Sequence, residues 1–164
     1  MNIKTDTIYF AKVKSDGIIP MKRDEDAGYD FYPNFNQESI VIKPNEIKLI
    51  STGIASAFYK RYVLIIKERS STGSKGMAIR MGVIDSGFRG EILIGINNTN
   101  SKPIIITKDE NFKDQNYIIH LYTKAIAQGI LVPIPKMKTL EVNYTELLKF
   151  DSKRKKSSLG SSDK

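Results

Sequence analysis

The feature that most constrains this chain is a period of two. Ile92, Ile94 and Ile96 alternate strictly, and short β-branched runs recur on either side of them. Ile40-Val41-Ile42 stops at Lys43-Pro44-Asn45, and Ile47 to Ile50 stops at Ser51-Thr52-Gly53. Tyr62 to Ile66, Ile104-Ile105-Ile106, Tyr117 to Leu121 and Ile130 to Ile134 extend the series, and Asn97-Asn98-Thr99-Asn100 breaks the alternating run. Alternation puts one set of side chains on one face of a strand, and Gly, Pro and Asn supply the turns between strands. The chain is therefore expected to be all-β, a barrel or a sandwich. Helix signals are weak. One turn is expected after Arg69-Ser70-Ser71, and a turn or two over Tyr144 to Lys149 capped by Asn143. Lys108 to Asn116 is polar and reads as a loop.

With 164 residues, 40% of them hydrophobic, the chain can bury one core. No repeat or boundary interrupts residues 1–150, read as one β domain. Beyond Phe150 the composition shifts: residues 151–164 hold one large apolar residue, Leu159, and read as a flexible C-terminal arm. About half of the net charge of +8 sits at that end, where Lys149, Lys153, Arg154, Lys155, Lys156 and Lys164 face Asp151 and Asp163. Such a balance favours an anionic ligand. Nucleic-acid binding as the main function is disfavoured, because charge elsewhere is well mixed; it would show as steep salt dependence. The N-terminus lacks a signal-peptide core and no apolar run approaches the ~20 residues of a membrane span, so a soluble, cytoplasmic protein is expected. Absence of cysteine excludes disulfides, thiolate metal sites and a cysteine nucleophile.

Several familiar chemistries are missing. There is no Gly-x-x-x-x-Gly-Lys-Ser/Thr loop for a P-loop enzyme and no Pro-Cys-x-x-Cys for a zinc deaminase. His120 is the one histidine and lies in an apolar run, which suits a strand residue better than half of a catalytic pair.

Three segments read as more than scaffolding. Asp26-Ala27-Gly28-Tyr29-Asp30 is either an Asp-rich turn or a carboxylate holding metal-bound water. Arg69-Ser70-Ser71-Thr72-Gly73-Ser74-Lys75 is either a hydrophilic capped turn or a cradle for a phosphate chain. Gly82-Val83-Ile84-Asp85-Ser86-Gly87-Phe88-Arg89-Gly90 suggests a tight hairpin with a semi-enclosed carboxylate that could deprotonate water.

In order, these segments resemble the motifs of the trimeric dUTPases (dUTP diphosphatases). Ala27-Gly28-Tyr29-Asp30 is similar to Ala-Gly-x-Asp, and Arg69-Ser70-Ser71 with Lys75 to Arg-Ser-Ser/Gly plus a basic residue. Gly82-Val83-Ile84-Asp85 with Phe88 and Gly90 resembles Gly-x-Ile-Asp-x-x-Tyr-x-Gly. Ile126-Ala127-Gln128 followed by Val132-Pro133-Ile134 resembles the fourth motif, and Arg154 with Leu159-Gly160-Ser161-Ser162 has the spacing of the fifth.

The resemblance implies a jelly-roll-like β fold, a homotrimer with sites shared between subunits, and hydrolysis of dUTP with Mg²⁺. It implies Asp85 as general base, Phe88 under the deoxyribose, and the backbone near Val83 and Ile84 reading uracil. Arg69, Ser70, Ser71 and Gln128 would hold the phosphates, Asp30 the waters on magnesium, and Arg154, Leu159 and Ser161 would close from the arm. Phe88 stands where the family has Tyr, Ala125 where it has Arg, Met77 where it has Gly, and Leu159 where it has a stacking Phe. Lys155 to Ser158 replace a glycine-rich stretch. Two other readings share the fold. One is a regulator that binds a protein partner. The other is a dCTP deaminase, disfavoured because Gly95 occupies the position of its catalytic Glu.

Overall fold

The computed structural model describes residues 2–152. Twelve strands and two single-turn helices follow in chain order: β1 (Tyr9–Lys12), β2 (Tyr29–Phe31), β3 (Ser39–Ile42), β4 (Ile47–Ser51), β5 (Ile54–Ala57) and β6 (Tyr62–Lys67). Then come α1 (Ser70–Gly73), β7 (Met77–Arg80), β8 (Val83–Ile84), β9 (Leu93–Asn98), β10 (Ile104–Thr107), β11 (Ile118–Leu121), β12 (Ala127–Pro133) and α2 (Tyr144–Leu147). The fold is all-β. Its strands form four small sheets in the orders β1-β5, β11-β10-β3, β2-β12-β6-β8 and β4-β9-β7.

The period of two survives in the packing: Ile92, Ile94 and Ile96 are all buried on one side of the β9 segment. Their core neighbours include Phe31, Ile42, Ile50, Phe58, Leu64 and Met77. β10 differs. It lies between antiparallel β3 and parallel β11, all four of its residues are buried, and a continuous Ile run suits a strand covered on both faces. The polar loop over 108–116 is the crossover that a parallel pair requires. α2 begins where expected, with Asn143 Oδ1 accepting the Glu146 N–H at 2.9 Å.

The hairpin expected over residues 82–90 does not form. β8, before the turn, pairs with β6, whereas β9, after it, pairs with β4 and β7, so the two arms belong to different sheets. Met81 at φ 58° makes the change of direction, and the Gly82 carbonyl accepts the Ile66 N–H at 2.7 Å to start the β6–β8 ladder. After β8 the chain enters a tight turn, with Phe88 N–H donating to the Asp85 carbonyl at 3.0 Å. Among the described residues no helix is long and apolar enough to cross a membrane.

Candidate active site

Two depressions contain the described candidate residues. The polar one forms because β12 lies between β2 and β6, which places Gln128 opposite Asp30 on one side and Lys67 on the other. The chain leaves β6 at Glu68 and turns into α1, bringing Arg69, Ser70 and Ser71 to the same rim. Thr72 stabilises that turn from inside: its buried hydroxyl accepts the Arg69 N–H at 3.0 Å. Gln128 Nε2 donates to the Glu68 carbonyl at 2.8 Å, and Arg69 Nε lies 2.8 Å from Asp30 Oδ1. Gly28 has a close approach to satisfy, since a Cβ there would lie 2.7 Å from Gln128 Oε1. Three segments scattered over a hundred residues thus converge on one polar pocket.

The second depression is apolar. Met81, Val83, Ile84, Phe88 and Leu93 line it with Asp85 and Glu91. Asp85 and Phe88 are exposed on the single chain. Glu91 anchors the floor, accepting the Ser51 hydroxyl at 2.5 Å and the Gly53 N–H at 2.7 Å, with Lys14 Nζ at 3.6 Å. Partial burial pushes its carboxyl up, but the Ser51 and Gly53 donors and Lys14 outweigh that and hold it below the usual carboxylate range.

Two residues face elsewhere. Lys75 Nζ donates to the Ile119 carbonyl at 2.9 Å, away from the polar pocket's lining. His120 is a buried β11 residue whose Nε2 lies 3.2 Å from the Lys124 carbonyl. Burial lowers its pKa, the Lys124 contact opposes this, and Lys75 and Arg69 add to the lowering. A neutral ring donating from Nε2 satisfies that contact. Arg154, Leu159 and Ser161 lie outside the described residues.

The sequence reading did not single out Arg23, Met81, Glu91 or Leu93. Arg23 stands in the run Lys22-Arg23-Asp24-Glu25-Asp26, which looks like any solvated loop; the Arg–Asp spacing of three was the available signal.

The donor set of the polar pocket suits a hard cation that keeps its waters. Arg69 Nε lies against Asp30 Oδ1, so this carboxylate would meet a cation beside a guanidinium and through water. No group of three or more His, Cys, Asp or Glu residues among the described residues could enclose a metal without help from waters or a ligand.

A family model described as dUTPase matches residues 15–162. The chain belongs to the dUTPase family. A deoxyuridine 5'-triphosphate nucleotidohydrolase of Nautilia profundicola is 31% identical over 135 residues, covering 80% of this chain and 83% of that protein. The Pol polyprotein of caprine arthritis encephalitis virus is 34% identical over 105 residues, 64% of this chain; the match spans 9% of that much longer polyprotein. Among solved structures, the Staphylococcus bacteriophage 80alpha dUTPase with dUPNHPP is 27% identical with a TM-score of 0.70, covering 96% of this chain and 98% of that one. Phage dUTPases control transfer of virulence genes by a proto-oncogenic G protein-like mechanism. Within this dUTPase-family chain, Gly95 lies mid-strand in β9 between β4 and β7, where a Cβ would sit 2.9 Å from the Arg80 carbonyl oxygen. A glutamate does not fit there.

Proposed function

We propose that the protein hydrolyses dUTP to dUMP and pyrophosphate by attack of water on the α-phosphorus, with Asp85 as general base. The observation that carries this reading is the convergence of Asp30, Arg69, Ser70, Ser71 and Gln128 on one polar pocket in a dUTPase-family chain. Arg69 offers a planar fork of donors to phosphate oxygens, and the two serine hydroxyls add donors beside it. Gln128, held by the Glu68 carbonyl, supports the same wall. Asp30 would hold waters of a bound Mg²⁺, whose role when present is to neutralise charge on the triphosphate.

Asp85 and Phe88 belong to the apolar depression, which offers a wall for base and sugar. The ring of Phe88 would lie under the deoxyribose and leave no room for a 2′-hydroxyl. Backbone groups at Val83 and Ile84 would read the uracil edge. Base and phosphate residues line separate depressions on one chain, which supports a site completed by more than one copy. A homotrimer with sites shared between subunits fits that arrangement. Residues 151–164 would supply Arg154, Leu159 and Ser161 as a closing arm.

The test is pyrophosphate release from dUTP, dCTP, dTTP and UTP, side by side with Mg²⁺. Rapid release from dUTP alone is expected; ammonia release from dCTP would overturn the reading. Sharing is tested by co-refolding Asp85→Asn chains with chains that end at Phe150. Random assortment restores about a quarter of the sites if base and arm come from different copies, and none if they come from one. A second reading, an added regulatory role through a protein partner, has as its motive the control of virulence-gene transfer by phage dUTPases. A pulldown with and without nucleotide tests it.

A further inference from the structure

The polar pocket has a wall that the family motifs do not account for. Residues 22–25 are exposed, Asp26 is half-buried and all five are charged, yet they are tied down by their own hydrogen bonds. Lys22 Nζ donates to the carbonyls of Arg23, Asp24 and Asp26 at 3.3, 3.5 and 2.9 Å. Asp26 N–H donates to the Arg23 carbonyl at 3.1 Å, and Arg23 N–H returns a bond to Asp26 Oδ2 at 3.2 Å. On this closed turn the Arg23 guanidinium meets the Asp26 carboxylate as a fork, Nε to Oδ2 and one terminal nitrogen to Oδ1, both at 2.9 Å.

An ion pair this exposed contributes little to stability. The Arg23 side chain is 88% exposed, so the fork is not explained by holding the fold together. What it does fix is direction. Arg23 and Asp26 line the same pocket as Arg69, Ser70, Ser71 and Gln128. Asp30 is close enough to contribute to raising the Arg23 pKa, although the larger contribution comes from the Asp26 hydrogen bond.

Donor arithmetic then matters. Arg carries five N–H donors. The fork with Asp26 uses two, which leaves about three for a ligand. Charge arithmetic points the same way: the described lining has two guanidinium groups, Arg23 and Arg69, against three carboxylates, Glu25, Asp26 and Asp30. Its own charge is 2 − 3 = −1. A polyphosphate entering a pocket with that balance needs every cation in the wall, and Arg23 is one of two.

We infer that Arg23, pre-oriented by Asp26, is a second arginine for the polyphosphate of the nucleotide, contacting the phosphates beyond the one shared with the monophosphate product. The inference rests on the reading of this pocket as the phosphate site. Lys22 and Asp26 serve as positioning residues, since they act through the turn that presents Arg23.

The experiment compares affinities for the α,β-imido analogue of dUTP and for dUMP, by calorimetry, in the full-length protein and three variants. Arg23→Ala is expected to weaken the triphosphate analogue about 10- to 100-fold, the range of a charged hydrogen-bonded contact, and dUMP less than about twofold. Arg23→Lys, which keeps the charge and loses the fork, falls between wild type and alanine. Asp26→Asn weakens the analogue while sparing dUMP, because the guanidinium is released from its orientation. Unchanged analogue affinity in Arg23→Ala overturns the inference. So does an equal loss for both ligands, which marks Arg23 as a support of the loop. Failure of the wild type to bind the analogue at all would instead overturn the dUTP reading.

Discussion

Gly28→Ala tests how the polar pocket is built. The new methyl would lie 2.7 Å from Gln128 Oε1, 3.0 Å from its Cβ and 3.2 Å from its Cγ. Ordinary contact begins near 3.4 Å, so the worst overlap is roughly 0.7 Å (3.4 − 2.7). Oε1 ends a flexible side chain and can swing away. It does so only by giving up the 2.8 Å bond from Nε2 to the Glu68 carbonyl, a net loss of about 0.5–1.5 kcal/mol. Residual crowding at the root of Gln128 adds about 1 kcal/mol, the low end of an overpacking cost. Alanine recovers about 0.4–1 kcal/mol by stiffening the unfolded chain, since the backbone at this position is not left-handed. The net cost is about 1 kcal/mol, a fall in Tm of roughly 2–4 °C for a chain of this size. The deciding measurement is a double-mutant cycle by thermal unfolding. In a Gln128→Ala background Oε1 and Cγ are gone, so Gly28→Ala should cost at least ~0.5 kcal/mol less than in the wild type. Costs that simply add would show that the two residues do not touch, and the pocket wall described above would be wrong.

Asp85→Asn should lower kcat by roughly 10²- to 10⁴-fold while leaving binding of the triphosphate analogue intact, measured by single-turnover hydrolysis and calorimetry. Near-normal turnover would remove Asp85 as the base. Phe88→Ala should narrow the dUTP/UTP ratio of kcat/KM, because the ring and not a phenol fills the space; equal activity on UTP in the unmodified protein would refute its placement. Glu91→Gln should be destabilising at pH 7, by roughly 1–2 kcal/mol for one weakened charged acceptor. The Glu91 pKa is depressed in the fold, so its stabilisation is present above the ordinary carboxylate pKa near ~4.3 and is lost as pH falls through the lower folded value. The Tm gap between wild type and Glu91→Gln should therefore close on acidification.

The strands that sequence made legible are those where one physical cause dominates. β9 announces itself through Ile92, Ile94 and Ile96 because one face is core, and β10 through three consecutive isoleucines because both faces are. β5 is nearly fully buried too, but Ile54-Ala55-Ser56-Ala57 carries small residues and no β-branched run. The hairpin over 82–90 was misread since local sequence does not say which sheet a strand joins: β8 pairs with β6 and β9 with β4 and β7, and Met81 in the left-handed region turns the chain from one sheet to the other without any warning from methionine. The candidate residues were visible as motif members. Their grouping came only from the family resemblance and not from any local pattern, because Gln128 meets Asp30 through strand register across almost a hundred residues. Arg23 was hidden by its surroundings: one arginine beside Lys22 and three acids has no periodicity to betray it.

Strand order also bears on how the protein is made. β12 is the last strand among the described residues, yet it lies inside its sheet, flanked by β2 on one side and β6 on the other. Until residue 133 has left the ribosome, β2 and β6 have no shared partner, and their open edges can pair with other chains. At ~5–20 residues per second, the interval between β2 and β12 is on the order of 5–20 s. Nascent chains that stall between them would expose unpaired strands and lack Gln128 altogether. Truncation before Ala127 is thus expected to yield aggregation-prone fragments, and translation pauses placed upstream of β12 should lower soluble yield more than pauses placed after it.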